Sequence, residues 1–334
     1  MSYRIDRDAI CGVIGYGSWA TALVHTMQQN GKEIWWHIRN EEVRESLLKE
    51  GRNAKYISDI EFDMSRIHVT CDINETVRNS DILLIAVPSA FIKDFLSSLT
   101  EPLCDKFVIS ATKGIIPGDY KTVIEYFHDT YNIPYSHSGL ISGPTHAEEV
   151  SRDKLSYLTI VCTDEDNAKV IDSMFSTGSV RTKWSKDIYG IEYAAILKNI
   201  YAIASGLASG LGYGDNFLAV LASASAREMT RYLQETWPYE RNTMDSAYLG
   251  DLLVTSYSTF SRNRRLGQLI GHGCTVKSAL NEMTMIAEGY YAADCIRHMN
   301  MKHNVDMPIA DMVYQILYKG ASPRKRMLEL TGLI

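Results

Sequence analysis

The feature that most constrains this chain is a change of period along its length. Up to about residue 187, short apolar and β-branched runs alternate with longer segments of helical spacing, and beyond it every patterned segment repeats at helical spacing. The runs Ala9–Ile14, Glu33–Ile38, Ile67–Cys71, Ile82–Val87, Phe107–Ser110, Gly139–Ser142, Leu158–Cys162 and Val180–Trp184 predict strands. Their alternation with helices predicts parallel strands joined by right-handed crossovers, an α/β doubly wound sheet. The later segments, from DIYGIEYAAILKNIYAIASGLASG to MPIADMVYQILYKG, predict an all-helical C-terminal domain. The expected organisation is therefore residues 1–187 and residues 188–334. No Pro- or Gly-rich linker, internal repeat or low-complexity segment separates them, which predicts tight packing with a site between the two.

At 334 residues, with single domains commonly about 100 to 200 residues long, the chain accommodates two such domains. A hydrophobic content of 46% with 22% charged residues is that of a folded globular protein and excludes intrinsic disorder. The net charge of −6 offers no broad positive field for nucleic acid or anionic membrane, so an anion must be held by a local site. Arg262, Arg264 and Arg265, with Arg324, Lys325 and Arg326, are the dense basic runs. The six cysteines show no C-x-x-C and no histidines at zinc-ligand spacing, so they read as free thiols in a reducing cytosol, with no metal expected. The N-terminus lacks an apolar signal core, and no run approaches the roughly 20 apolar residues that span a bilayer. The reading is a cytoplasmic protein.

Gly15-Tyr16-Gly17-Ser18-Trp19-Ala20 follows the first predicted strand and opens a helix over about Trp19–Gln29. This is the strand-turn-helix context of the G-x-G-x-x-G/A fingerprint, and it makes the N-terminal domain Rossmann-like. Gly15 permits a tight turn, Gly17 lets backbone approach a pyrophosphate, and the small Ala20 lets helix and strand pack closely over the positive end of the helix dipole. The end of the second strand reads His37-Ile38-Arg39-Asn40 with Glu41 after it. Arg39 suits a 2′-phosphate and favours NADPH, whereas Glu41 leaves NADH open; the alternative is that Arg39 merely caps the strand in solvent. Val87-Pro88-Ser89 and Ser110-Ala111-Thr112-Lys113-Gly114 end two further strands, where ligands bind in this architecture. Lys113 is either a surface lysine or a cation reaching an anion there.

The helical part opens with Ile191, Ala194, Ala195, Lys198, Tyr201, Ala202 and Ser205 on one face. A lysine in that stripe either snorkels out of a helix interface or is desolvated, and desolvation moves its pKa towards general acid–base work. Downstream, GDLLVTSYSTFSRNRRLG brings Asp251, Thr255, Ser261, Arg262 and Asn263 into a short segment. Arg262 offers a planar fork suited to phosphate; the alternative is an exposed basic loop.

The blocks GYGSWATAL, VPS, ATKGI, SGPTHAEEV, LKNIYAIASGLASGLGYGDN and GDLLVTSYSTFSRNRR, in this order over nearly the whole chain, resemble the NAD(P)-dependent glycerol-3-phosphate dehydrogenases of bacterial type. The tail MPIADMVYQILYKGASPRKRMLELTG, where Gly320 ends a helix and Ser322-Pro323 starts the next, resembles the family's last helices. The resemblance implies that Lys198 transfers a proton, with Asn199 beside it, and that Asp251 and Thr255 orient that lysine and the substrate. It implies a phosphate-binding pair in Arg262 and Asn263, next to Ser261, with Arg262 also near the cofactor. Lys113 would contact both substrate and cofactor, Gly143 and Thr145 the substrate, and Ala147 the nicotinamide side. Ser18, Trp19, Arg39, Ile286 and Glu288 match cofactor-binding positions. The segments WHIRN, SYSTFSRNRR and IAEG vary around these positions without removing a group the chemistry needs.

What the resemblance implies as a whole is reversible reduction of dihydroxyacetone phosphate to sn-glycerol 3-phosphate with NAD(P)H, supplying phospholipid synthesis, by a homodimer. In that reaction negative charge grows on the carbonyl oxygen as hydride arrives. Lys198 would act as general acid, oriented by Asp251, with Lys113 adding positive potential. The competing readings are a dehydrogenase of similar build acting on a β-hydroxyacid, whose anchoring anion is a carboxylate, and an NAD(P)-binding protein without catalysis.

Overall fold

A computed structural model describes residues 3–334, and the chain divides into two compact units. The first runs up to Thr112 and resumes over Val123–Ile188; the second comprises Lys113–Thr122 and Tyr189–Ile334.

The first unit is one eight-stranded sheet: β1 (Cys11–Ile14), β2 (Ile34–His37), β3 (Ile67–Thr70), β4 (Ile82–Ile85), β5 (Phe107–Ser110), β8 (Ser138–Ser142), β9 (Ser156–Cys162) and β10 (Val180–Ser185). The two-residue strands β6 (Ile115–Ile116) and β7 (Lys121–Thr122) form a separate antiparallel hairpin. The order in the large sheet is β10-β9-β8-β5-β4-β1-β2-β3, so the chain winds outwards in both directions from β1 and β4. All eight predicted runs form strands in it. The central ones are buried at every residue because helices cover both faces, which is why they read as continuous apolar runs. At the edge, β10 exposes Arg181 and Lys183, charges that discourage pairing with another chain.

One expectation needs correction. The strands are not all parallel: β8 and β9 pair antiparallel, Leu140 opposite Val161. The segment joining them contains only a four-residue helix, too little for the helical crossover that returns a chain to a parallel strand.

The helices of this unit are α1 (Ser18–Gln29), α2 (Glu41–Glu50), α3 (Ile73–Arg78), α4 (Ile92–Phe95), α5 (Val123–Tyr131), α6 (Ala147–Val150) and α7 (Glu165–Phe175). Three of them start on the signals expected of helix N-termini. Asn40, Asp72 and Asp164 cap α2, α3 and α7 by accepting backbone N–H bonds.

The second unit contains α8 (Ile188–Gly210, whose first residue lies in the first unit), α9 (Asp215–Thr236), α10 (Asp251–Tyr257), α11 (Arg262–Gly271), α12 (Val276–Glu282), α13 (Glu288–His303), α14 (Pro308–Lys319) and α15 (Pro323–Leu330), together with the β6–β7 hairpin. Residues 189–334 contain no strand among those described. Helix α8 is apolar almost all round and buried from Gly190 to Ala208, the pattern of a helix enclosed by others.

Helix α11 crosses α8 at backbone contact. A Cβ on Gly206 would lie 2.0 Å from the Arg264 carbonyl oxygen, and one on Gly267 2.1 Å from that of Ile203. Gly210 and Gly271 are similarly close-packed, at 2.5 Å from Gln268 O and 2.7 Å from Leu207 O. Exchanging a helical glycine for alanine normally gains up to about 1 kcal/mol. At Gly206 the clash with main chain outweighs that gain. Gly206→Ala is expected to lose about 1–3 kcal/mol. Thermal unfolding checks the sign: a melting temperature that stays level or rises contradicts the close crossing.

Candidate active site

In the first unit, the turn after β1 is built to meet an anion. Gly15 sits at φ +120°, and a Cβ there would come 2.4 Å from the Ala86 carbonyl oxygen. Gly17 precedes the first turn of α1; nothing lies within 4 Å of where its Cβ would be, and that first turn carries no acidic residue. Buried side chains hold the turn from behind. Trp36 Nε1 donates to Gly15 O at 2.7 Å, and Asn53 Nδ2 donates to Tyr16 O and to Thr21 Oγ1, both at 2.9 Å. A tight turn anchored through its carbonyls, open at Gly17 and leading into a helix N-terminus, fits the pyrophosphate of a dinucleotide.

Trp36 and Asn53 were not singled out from sequence. The one available signal was the need of a buried indole N–H for an acceptor.

The other predicted residues of this unit lie at the carboxyl side of the sheet. Ser18 and Trp19 open α1. Arg39 follows β2, its guanidinium 4.5 Å above the Phe95 ring and paired with Asp94. Gly143 follows β8 at φ +125°, where a Cβ would be 2.6 Å from Tyr157 O, and its carbonyl accepts from Thr145 N at 2.9 Å and Thr145 Oγ1 at 3.3 Å. Ala147 begins α6. Thr112, the last residue before the chain leaves this unit, donates its hydroxyl to Val87 O at 2.8 Å.

In the second unit, two lysines share one carboxylate. Lys198, in the middle of α8, is 4% exposed and donates to Asp251 Oδ1. Lys113, entering the hairpin, donates to Asp251 Oδ2 at 3.2 Å. Asp251 is fully buried and starts α10 directly after a turn of π-helix, Ser246–Gly250. Interrupted helices of this kind place side chains that regular ones cannot.

Burial pulls Lys198 down to about 7; Asp251 opposes that effect and Lys113 reinforces it. The snorkelling alternative is thereby removed, because the ammonium ends on a buried carboxylate. Two ammonium groups on one carboxylate leave a net positive charge at a buried position where one lysine yields its proton near neutrality. Such a group can polarise an oxygen and protonate it.

Two amide side chains tie this arrangement to its surroundings. Asn199 Nδ2 donates to Lys113 O at 2.8 Å, Asn263 Nδ2 donates to Asn199 Oδ1 at 2.9 Å, and Gly289 N donates to Asn263 Oδ1 at 2.8 Å. Hairpin, α8, α11 and α13 thus meet through one chain of hydrogen bonds. Ser261 caps α11 by accepting from Arg264 N at 3.3 Å, which puts Arg262 and Asn263 in that helix's first turn. Thr255 turns its hydroxyl to Asp251 O at 2.6 Å, steadying the helix that carries the carboxylate. Ile286 lies just ahead of α13 and Glu288 begins it, beside Gly289.

Two family models match the chain, described as NAD-dependent glycerol-3-phosphate dehydrogenase N-terminus over residues 10–168 and C-terminus over residues 187–328. A glycerol-3-phosphate dehydrogenase (NAD(P)+) from Staphylococcus haemolyticus is 34% identical over 323 residues, which is 96% of this chain and 97% of that protein. One of the same name from Staphylococcus carnosus is 35% identical over 309 residues, 92% and 93% of the two chains. The crystal structure of a glycerol-3-phosphate dehydrogenase from Coxiella burnetii matches with a TM-score of 0.89 at 25% identity, over 98% of this chain and 99% of that one.

Proposed function

This chain belongs to the NAD-dependent glycerol-3-phosphate dehydrogenase family, and on that premise we propose that it reduces dihydroxyacetone phosphate to sn-glycerol 3-phosphate, reversibly, with NAD(P)H. The observation that carries the reading is the buried Lys198–Asp251 pair with part-buried Lys113 on the same carboxylate. When bound, the reduced nicotinamide supplies the hydride, and the turn at Gly15 and Gly17 with Ser18, Trp19, Arg39 and Ala147 holds the dinucleotide. Residues 1–187 then serve mainly as the cofactor domain and residues 188–334 as the substrate and catalytic domain, with Lys113 lent to the second.

Lys198 donates a proton from Nζ to the carbonyl oxygen as charge grows there, and takes it back in oxidation. Asp251 keeps that ammonium aimed, and Lys113 adds a second positive charge beside the oxygen. Arg262 and the α11 N-terminus bind the phosphate, with Asn263 setting the position of that turn against Asn199. Gly143 and Thr145 line the substrate, Lys113, Arg262, Ile286 and Glu288 also address the cofactor, and Thr255 acts through Asp251. This binding energy, remote from the reacting carbon, fixes the ketone for transfer.

Loss of nicotinamide absorbance on adding dihydroxyacetone phosphate, with 2-ketoacids as comparison, tests the reading. Turnover only on the ketoacids would replace it with the β-hydroxyacid reading. Dinucleotide binding without turnover on any phosphorylated ketone would leave a binding protein.

The same lysine sets a pH signature. The reductive reaction needs Lys198 protonated, so its kcat/KM should fall as pH rises through about 7, while the oxidative kcat/KM should rise through the same region. Profiles in both directions check this; a reductive rate that climbs with pH contradicts the assignment.

A homodimeric, cytoplasmic enzyme whose product feeds phospholipid synthesis completes the proposal. In support, no helix among the described residues is long and apolar enough to cross a membrane. Light scattering that returns the mass of one chain would remove the dimer.

A further inference from the structure

Three segments converge beyond the carboxyl end of β2, where an adenosine ribose is recognised in this architecture. They are the Gly15–Gly17 turn, the start of α2 and the short helix α4. Tyr16 stands 6.0 Å from Phe95 and 6.1 Å from Tyr56, ring centre to ring centre, giving the place an aromatic wall. Three ion pairs lie around it. Arg39 lies over Phe95 and is paired with Asp94. Glu41 is held by Arg44 at 2.6 Å and accepts from Cys71 Sγ at 3.1 Å, and Lys55 is paired with Glu42 at 2.7 Å. Within these three pairs the charges cancel.

NADH and NADPH differ there by one 2′-phosphate, a group carrying roughly 1.5 to 2 negative charges at neutral pH. Such a group needs a cation without a competing anion, and Arg39 is the one at the right position. Asp94 works against it in two ways: it occupies the guanidinium, and it adds a like charge beside the phosphate. The 2′-hydroxyl of NADH meets neither obstacle. We propose that Asp94 is the residue that sets the choice of cofactor, by neutralising Arg39 and so holding back NADPH relative to NADH. This rests on the dinucleotide site proposed above.

Both side chains are substantially exposed, Arg39 at 47% and Asp94 at 63%, so removing the carboxylate leaves the fold intact and the electrostatic effect moderate. The test is titration of the full-length protein with NADH and with NADPH, following nicotinamide fluorescence, for the wild type, Asp94→Asn and Asp94→Ser. Both variants are expected to tighten NADPH by about tenfold while NADH moves by less than about twofold, and the gain should shrink as salt is added. In an Arg39→Ala background the same substitutions should leave the NADPH to NADH ratio within about twofold, since the group they release is gone. If both dinucleotides bind and neither Asp94 variant changes their ratio, the inference is wrong and the dinucleotide site stands. If neither dinucleotide binds the wild type, the site itself is wrong and the inference falls with it.

Discussion

Lys198→Ala is expected to lower kcat for reduction of dihydroxyacetone phosphate by about a hundredfold to a thousandfold, the usual effect of removing one preorganised group that meets developing charge. The substitution removes the proposed proton donor and one of the two lysines on Asp251, but Lys113 remains on the other carboxylate oxygen at 3.2 Å. The buried aspartate is therefore not orphaned, and the variant should fold. Lys198→Met, which keeps the length and apolar stem of the side chain, should show the same loss and so separates chemistry from packing. Dinucleotide affinity should be unchanged, because the Gly15–Gly17 turn is held by Trp36 and Asn53 and not by α8. Near-native turnover in both variants would refute the assignment.

Arg262→Ala should raise the KM for dihydroxyacetone phosphate by about a hundredfold, since truncating a charge-assisted partner of a bound anion typically costs about 2–5 kcal/mol. Nicotinamide affinity should suffer far less. The asymmetry follows from position. Arg262 is the first residue of α11, after the Ser261 cap, and the proposed clamp combines its guanidinium with that helix N-terminus. Its neighbour Asn263 is committed to Asn199 and Gly289, so its amide holds the turn in place. Steady-state kinetics with substrate and cofactor varied in turn decide the matter. Equal weakening of both would sink the clamp.

Much of this was legible along the chain. Strands β1, β4 and β5 are apolar at nearly every residue, and both faces of each are buried, so composition alone marks them. The turn at Gly15 and Gly17 is a local matter of backbone space. The stripe around Lys198 is local too, because residues three and four apart on a helix share a face wherever the helix goes. What is local in sequence is also local in energy.

The remainder depended on tertiary structure, because it joins residues that period and propensity treat as independent. Asp251 meets Lys198 from 53 residues away and Lys113 from 138, and neither separation has a periodic signature. The direction of β9 was invisible, since apolar alternation is the same read either way along a strand. The hairpin Lys113–Thr122 lies between two strands of the first unit in sequence yet folds with the helices, through Lys113 on Asp251 and the Lys113 carbonyl on Asn199. Whether Arg39 is available to a phosphate was likewise beyond the sequence, because Asp94, its partner, lies 55 residues further on. The sequence by itself determined which segments become strands or helices, and it placed a glycine turn at the first helix and a lysine in the apolar stripe of α8. Only the tertiary structure decided which charges face one another, because burial and charge pairing are created by packing.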